Sequence, residues 1–137
     1  MSRTLYGNGA TLGYVPTPGW SSQVGRKKFD SFGCDTWSSY VVSARDSTGA
    51  LVGLARAISD DVTICYLQDI LVNPRHQRNG LGKALVDNVI ERYVHVRQKV
   101  LLTDDEPGQR AFYESMGFVE GHDFSPTPLR AFVQIGS

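Results

Sequence analysis

The chain has 137 residues, 41% of them apolar, and its 14 Lys and Arg balance its 14 Asp and Glu. That length and apolar content suit one buried core and are short for two, so the whole of 1–137 reads as a single domain. Zero formal charge argues against a coat for nucleic acid or an anionic membrane, no run approaches the roughly eighteen apolar residues that span a bilayer, and no charged-then-apolar leader opens the chain, so a cytoplasmic protein is expected.

Taken in order, the first legible element is a short strand at Leu12–Val15, broken by Pro16 and Pro18 before a basic, weakly helical stretch. Residues 1–37 are the least patterned part. From Ser38 two strand-like runs, "SSYVVSAR" and "LVGLARAIS", flank "DSTGA", a loop of hairpin composition. Asp60 and Asp61 make the next turn, and "VTICYLQDILV" is a third strand that Pro74 stops. An antiparallel meander follows from this spacing. Leu81, Leu85, Val89 and Tyr93, with Ala84 and Val96 beside them, then form one apolar stripe of a helix that must lie on the sheet. "KVLLT" is a short buried strand, and a right-handed crossover places it parallel to the strand before the helix. "GQRAFYESM" reads as a short helix closed by Gly117, while "GFVEG" and "RAFVQI" are two further strand candidates, suggesting a terminal hairpin. Cys34 and Cys65 are far apart, with no Cys-x-x-Cys pair and no Cys/His cluster at ligand spacing. Packed thiols are expected, and no metal.

The bend "VNPRHQRNGLGKAL" is the most informative stretch. Asn79 is suited to capping the helix, and Gly80 and Gly82 strip side chains from its first turn, which leaves main-chain N–H groups uncovered. The helix dipole, with Arg75, Arg78 and Lys83 nearby, favours a phosphate or diphosphate there. Two phosphate-binding motifs fail on spacing. A P-loop requires glycine where Gln77 stands and a hydroxyl where Ala84 stands, and the dinucleotide fingerprint requires glycine at Leu85.

The pattern Val-x-Pro-x-x-Gln-x-x-Gly-x-Gly is met by Val72, Pro74, Gln77, Gly80 and Gly82, and "AFYESMGFVEG" from Ala111 to Gly121 adds an aromatic-glycine signature downstream. With these two motifs in this order the sequence resembles the GNAT superfamily of acetyl-CoA-dependent N-acetyltransferases over roughly residues 38–119. The resemblance implies an α+β fold with a mixed, mostly antiparallel sheet, splayed central strands and helices on both faces. It also implies that Ile70, Leu71 and Val72 pair through their backbone with the pantetheine arm of acetyl-CoA, as an added strand does. Gln77, Arg78, Asn79, Gly80, Leu81, Gly82 and Lys83 would hold the pyrophosphate. The arm would enter between "LQDILV" and "KVLLT". Family members often carry an asparagine at the start of the second helix, and "TDDEPGQRAFY" has none.

The reaction implied is direct attack of a neutral amine on the thioester. A lysine-like amine of pKa about 10.4 is unprotonated in roughly one molecule in 2,500 at pH 7, so a base or a water chain is required. Tyr113 occupies the tyrosine of the Phe-Tyr-x-x-x-Gly-Phe motif, which implies an acid for the departing sulfur; the alternative is an aromatic that fills the helix–sheet interface. Asp69, a carboxylate in an otherwise apolar strand, is the candidate base, with an ammonium anchor or a structural partner for Arg56 as alternatives. A backbone N–H at Leu71 or its neighbour would polarise the thioester carbonyl. His76, His95 and His122 have no triad or zinc-type arrangement. Trp20, Phe29, Phe32, Trp37 and Tyr40 suit core packing more than an acceptor pocket.

The acceptor is expected to be a small-molecule or peptide amine, without nucleic acid or membrane as partner. A homodimer through a C-terminal edge strand is a further expectation. The competing reading is a non-catalytic acyl-CoA-binding sensor that kept the bend and lost turnover.

Overall fold

The computed structural model describes residues 2–5, 11–14, 40–78 and 80–136, the first two ranges by backbone alone. Among these described residues six strands form one sheet in chain order: β1 (Ser2–Leu5), β2 (Thr11–Tyr14), β3 (Tyr40–Arg45), β4 (Leu51–Ser59), β5 (Ile64–Val72) and β6 (Gln98–Leu101). All neighbours are antiparallel except β5 and β6, which are parallel, so the sheet is mixed as expected. β1 has no counterpart in the sequence reading, and the basic stretch after Pro18 lies outside the described residues, as do Cys34, Trp20, Phe29, Phe32 and Trp37.

Two aspartates set the hairpins. Asp46 Oδ1 accepts from Thr48 N at 2.8 Å and Ala50 N at 3.1 Å, closing the β3–β4 turn. Asp60 does the same for β4–β5, taking the amides of Val62, Thr63 and Ile64 at 3.0, 2.8 and 3.0 Å. The Thr63 hydroxyl and then these amides hold the Asp60 carboxyl far below the usual carboxylate range. Side chains that bond their own backbone in this way favour turns over strands, which is why the meander folds back here.

The crossover between β5 and β6 contains helix α1 (Leu81–Arg92). Its buried face is Leu81, Ala84, Leu85, Val86 and Val89, continued by Tyr93 and Val96 past its end. Tyr93 leaves the helix at φ −112°, and its N–H still bonds Val89 O at 3.1 Å. The sheet receives this face on small residues. A methyl added at Gly53 would meet Leu85 Cδ1 at 3.0 Å and Leu81 Cδ2 at 3.3 Å, and Ala55 and Ala57 follow on the same face by strand alternation. The opposite face also buries Val41, Ser43, Leu54 and Arg56, with Leu71 packed on Val41 and Leu54. Both faces of the central strands are therefore covered, which explains why β4 is an almost unbroken apolar run with one charge.

The chain divides into two compact units, residues 1–102 and 103–137. In the second, α2 (Gln109–Glu114) ends where expected, with Gly117 left-handed at φ 89°. Gly117 N–H bonds Glu114 O at 3.0 Å and Phe118 N–H bonds Tyr113 O at 3.2 Å, satisfying carbonyls that a helix end leaves open. Arg110 ties α2 to the following turn through Glu114 at 2.8 Å, Glu120 at 3.0 Å and Asp123 at 2.5 Å. The strands expected at "GFVEG" and "RAFVQI" do not form among the described residues. The backbone around Gly121 is spent locally: Gly121–Asp123 is a 3-10 turn, and Leu129 N–H bonds Gly121 O at 2.6 Å. Phe132 and Ile135 are 90% and 84% exposed, so β6 and not a C-terminal strand carries the sheet's last described edge.

Leu85 is fully buried between α1 and β4, whereas Val94 just past the helix is 73% exposed. Urea unfolding of Leu85→Ala is expected to show a loss of about 3 kcal/mol, against under about 0.5 kcal/mol for Val94→Ala. Equal losses would mean that α1 does not carry the core.

Candidate active site

The site begins with a mismatch in strand length. β5 and β6 pair from Ile64↔Gln98 to Leu67↔Leu101 and no further. β5 runs on to Val72, so among the described residues no strand pairs with the β6-side edge of Gln68–Val72. The other edge stays bonded to β4, from Arg56↔Asp69 to Gly53↔Val72. The parting of β5 from β6 starts beside a β-bulge. Ala57 faces Leu67 and Arg56 faces Asp69, which leaves Gln68 as the extra residue. Bulges bend a strand and re-aim its side chains, and this one coincides with the opening. Ile70, Leu71 and Val72 thus lie on an edge of the kind that accepts an added extended chain.

The bend follows directly. Asn73 Oδ1 accepts Arg75 N–H at 2.9 Å and starts a 3-10 turn over Pro74–His76, a feature that Pro at the first position favours and that the sequence reading passed over. Gln77 reaches back with Nε2 to Val72 O at 3.3 Å, so its side chain fastens the bend to the end of β5. Arg78 and Gly80 are both left-handed, at φ 65° and 79°. Gly80, not Asn79, is the residue before the first helical position, and no side chain caps it; Asn79 itself lies outside the described residues. A left-handed Gly80 followed by right-handed Leu81 curves successive N–H groups into the concave arrangement that binds anions. Among the described residues no carbonyl accepts the N–H of Gly80, Leu81 or Gly82, and the first bond into the helix runs from Ala84 N–H to Gly80 O at 3.0 Å.

The cations around this concavity differ. Lys83 Nζ lies 2.5 Å from Asp87 Oδ2, one helical turn on, so its charge is balanced on its own helix. Arg75 and Arg78 are exposed, and among the described residues no carboxylate pairs with either.

Asp69 projects from the face opposite α1. Arg56 donates to its Oδ2 twice, from Nε at 2.9 Å and Nη2 at 2.8 Å, and the two side chains are 3% and 20% exposed. Asp69 Oδ1 has no partner among the described residues. The structural pairing that the sequence allowed as an alternative is therefore present, and it occupies one of the two carboxylate oxygens.

Tyr113 is half-buried on α2, with Phe112 and Phe118 edge-on to its ring at 5.0 and 5.9 Å between centroids. Burial pushes its phenol above the usual tyrosine range, so the group stays protonated at neutral and mildly alkaline pH. Its hydroxyl has no partner among the described residues. The remaining candidates have other uses. His95 Nε2 lies 2.9 Å from Asp61 Oδ1, joining the end of α1 to the β4–β5 turn. Tyr40 donates to Asn88 Oδ1 at 2.5 Å, and Cys65 is a buried free thiol whose pKa burial raises.

Comparison with known proteins accords with this geometry. A sequence profile described as the acetyltransferase (GNAT) family matches residues 14–118. The chain is similar to GCN5-related N-acetyltransferase 3, chloroplastic, of Arabidopsis thaliana, 32% identical over 115 residues, spanning 80% of this chain and 46% of that protein. It is also similar to the ycf52 N-acetyltransferase of Pyropia yezoensis, 29% identical over 83 residues, 61% of this chain and 48% of the relative. The chain thus spans about half the length of the curated relatives it matches. Among solved structures, a GNAT family acetyltransferase of Streptococcus pneumoniae TIGR4 superposes with a TM-score of 0.72 at 22% identity, covering 93% of this chain and 98% of that one, a likeness of fold. With a profile match over most of its length, the two ordered motifs and the mixed sheet that opens beside β5, the chain belongs to the acetyltransferase (GNAT) family.

Proposed function

We propose that the protein is an N-acetyltransferase that moves the acetyl group of acetyl-CoA to a primary amine by direct attack. The observation that carries this reading is the succession, along one unit, of a β5 edge at Ile70–Val72 with no strand partner on its β6 side among the described residues and an anion-type concavity at Gly80–Gly82. Acetyl-CoA has the matching parts in the matching order: an amide-bearing extended arm, then a diphosphate. The N–H and C=O groups of the arm complement a strand edge, and the diphosphate complements uncovered main-chain donors beside Arg75 and Arg78. Gln77 supports the site by tying the bend to Val72, and Lys83 contributes through the helix start.

When bound, the co-substrate supplies an activated acyl group; the protein's part is to position it and to move protons. In this reading the main-chain N–H at Leu71 donates to the thioester oxygen as charge develops there. Asp69 Oδ1 accepts the proton of the incoming ammonium, directly or through water, while Oδ2 stays on Arg56. Tyr113 gives its proton to the departing sulfur and recovers one, through solvent, from the nitrogen as the amide forms.

Three measurements test this. Gly80→Ala forces a Cβ into a left-handed position, and calorimetry with CoA is expected to show at least tenfold weaker binding, with only about 1–2 kcal/mol lost from stability. Wild-type protein that is well folded and gives no heat with CoA at millimolar ligand would remove the reading. Tyr113→Phe should slow thiol release from acetyl-CoA, measured with a panel of amines, roughly a hundredfold while leaving acetyl-CoA affinity nearly intact. Unaltered turnover would take the acid role from Tyr113. Asp69→Asn should slow thiol release at saturating acetyl-CoA and amine roughly a hundredfold at pH 7; unaltered turnover would assign proton removal to solvent.

A further inference from the structure

The Arg56–Asp69 pair does more than neutralise two charges, because it discriminates between two registers of the same strands. In an unbulged β4–β5 pairing, Gln68 would face Arg56, and every later residue of β5 would turn over. Asp69 and Leu71 would then project with Cys65 and Leu67 onto the face of Leu81 and Leu85, where a carboxylate would meet Gly53, Ala55 and Ala57 and no cation. With Gln68 bulged, Asp69 stands opposite Arg56, Leu71 packs on Val41 and Leu54, and the strand bends at the pair where β6 stops. The guanidinium that selects this arrangement is 3% exposed, so it is fixed in place, and it meets Asp69 through two N–H groups.

We propose that Arg56 is a positioning residue for co-substrate binding: by holding Asp69 across β4–β5 it fixes the Gln68 bulge, and with it the unpaired β5 edge that takes the pantetheine arm. This rests on the reading of Ile70–Val72 as the track for that arm. Arg56 acts through Asp69 and the strand and contacts no part of the ligand. Its removal therefore has a selective consequence. The arm loses a correctly presented edge, while the bend, which is built by Asn73, Gln77 and Gly80, keeps its grip on phosphate.

The test compares two ligands, CoA and 3′-phospho-ADP, which has the phosphates and the nucleoside but no arm. Titration calorimetry of Arg56→Met is expected to show CoA affinity lowered at least tenfold and 3′-phospho-ADP affinity changed less than twofold, with Arg56→Lys recovering part of the loss. Equal weakening of both ligands would mean a merely structural role and would overturn the proposal, as would unchanged CoA affinity. Should Arg56→Met not fold by circular dichroism, Asp69→Asn carries the same comparison, since it keeps the side chain's shape and removes its charge. The two readings fail differently: wild-type protein that ignores CoA removes the co-substrate track itself, whereas wild-type binding with an unselective loss in the variants removes Arg56's part alone.

Discussion

The constraint on which the rest depends is that β5 is longer than the parallel strand beside it. Four residues of β5 are matched by β6, and beyond Leu67 the β6 side of the strand has no sheet neighbour among the described residues. A strand edge left open is ordinarily a hazard, since it offers unpaired N–H and C=O groups to any other chain. Here the edge is followed by a glycine-containing bend and the start of α1, so the open edge and, past the bonded bend, the uncovered helix N–H groups lie on one run of chain. An extended ligand with amides at one end and phosphates beyond them complements that run in order.

Holding such an edge in place requires the remainder of the sheet to be stiff. α1 lies on Gly53, whose missing side chain lets Leu81 and Leu85 approach, and on alanines that follow it along β4. Close approach gives dense packing over the strands that bear β5, and dense interiors transmit position with little give. On the other face, buried Arg56 and partly buried Asp69 pair across the bulge. Desolvating a guanidinium is costly, and such a pair is weak evidence for added stability, yet it is well suited to choosing one register over another. The ion pair thus contributes specificity of structure while the apolar face contributes free energy.

Much of this was legible in the chain. The limits of β4, the loop at Asp46, the turn at Asp60 and Asp61, the apolar stripe from Leu81 to Tyr93 and the left-handed Gly117 follow from local chemistry, because turn-forming side chains and periodic apolar residues act over a few positions. The bend was legible for the same reason, as glycine spacing beside a helix start. The 3-10 turn at Pro74, the pairing of Lys83 with Asp87 and the reach of Gln77 to Val72 were not singled out, although Asn73-Pro74 and the spacing of Lys83 and Asp87 carried a signal for two of them. The strands anticipated at "GFVEG" and "RAFVQI" had suitable residues. Strand formation requires a partner: the carbonyl of Gly121 accepts Leu129 N–H instead, and among the described residues no strand pairs with residues 130–135.

Residue types alone determined that there is a meander, a crossover helix and a bend with exposed main-chain donors, since each depends on neighbours within about a dozen positions. They did not determine which way Asp69 points. Simple alternation from Cys65 through Leu67 carries Asp69 to the helix side, and only the paired strands, by taking up Gln68 as an extra residue, turn it to Arg56. A bulge is a property of two strands in register, set by what each side chain meets across the sheet, and for that reason it is decided by the tertiary structure.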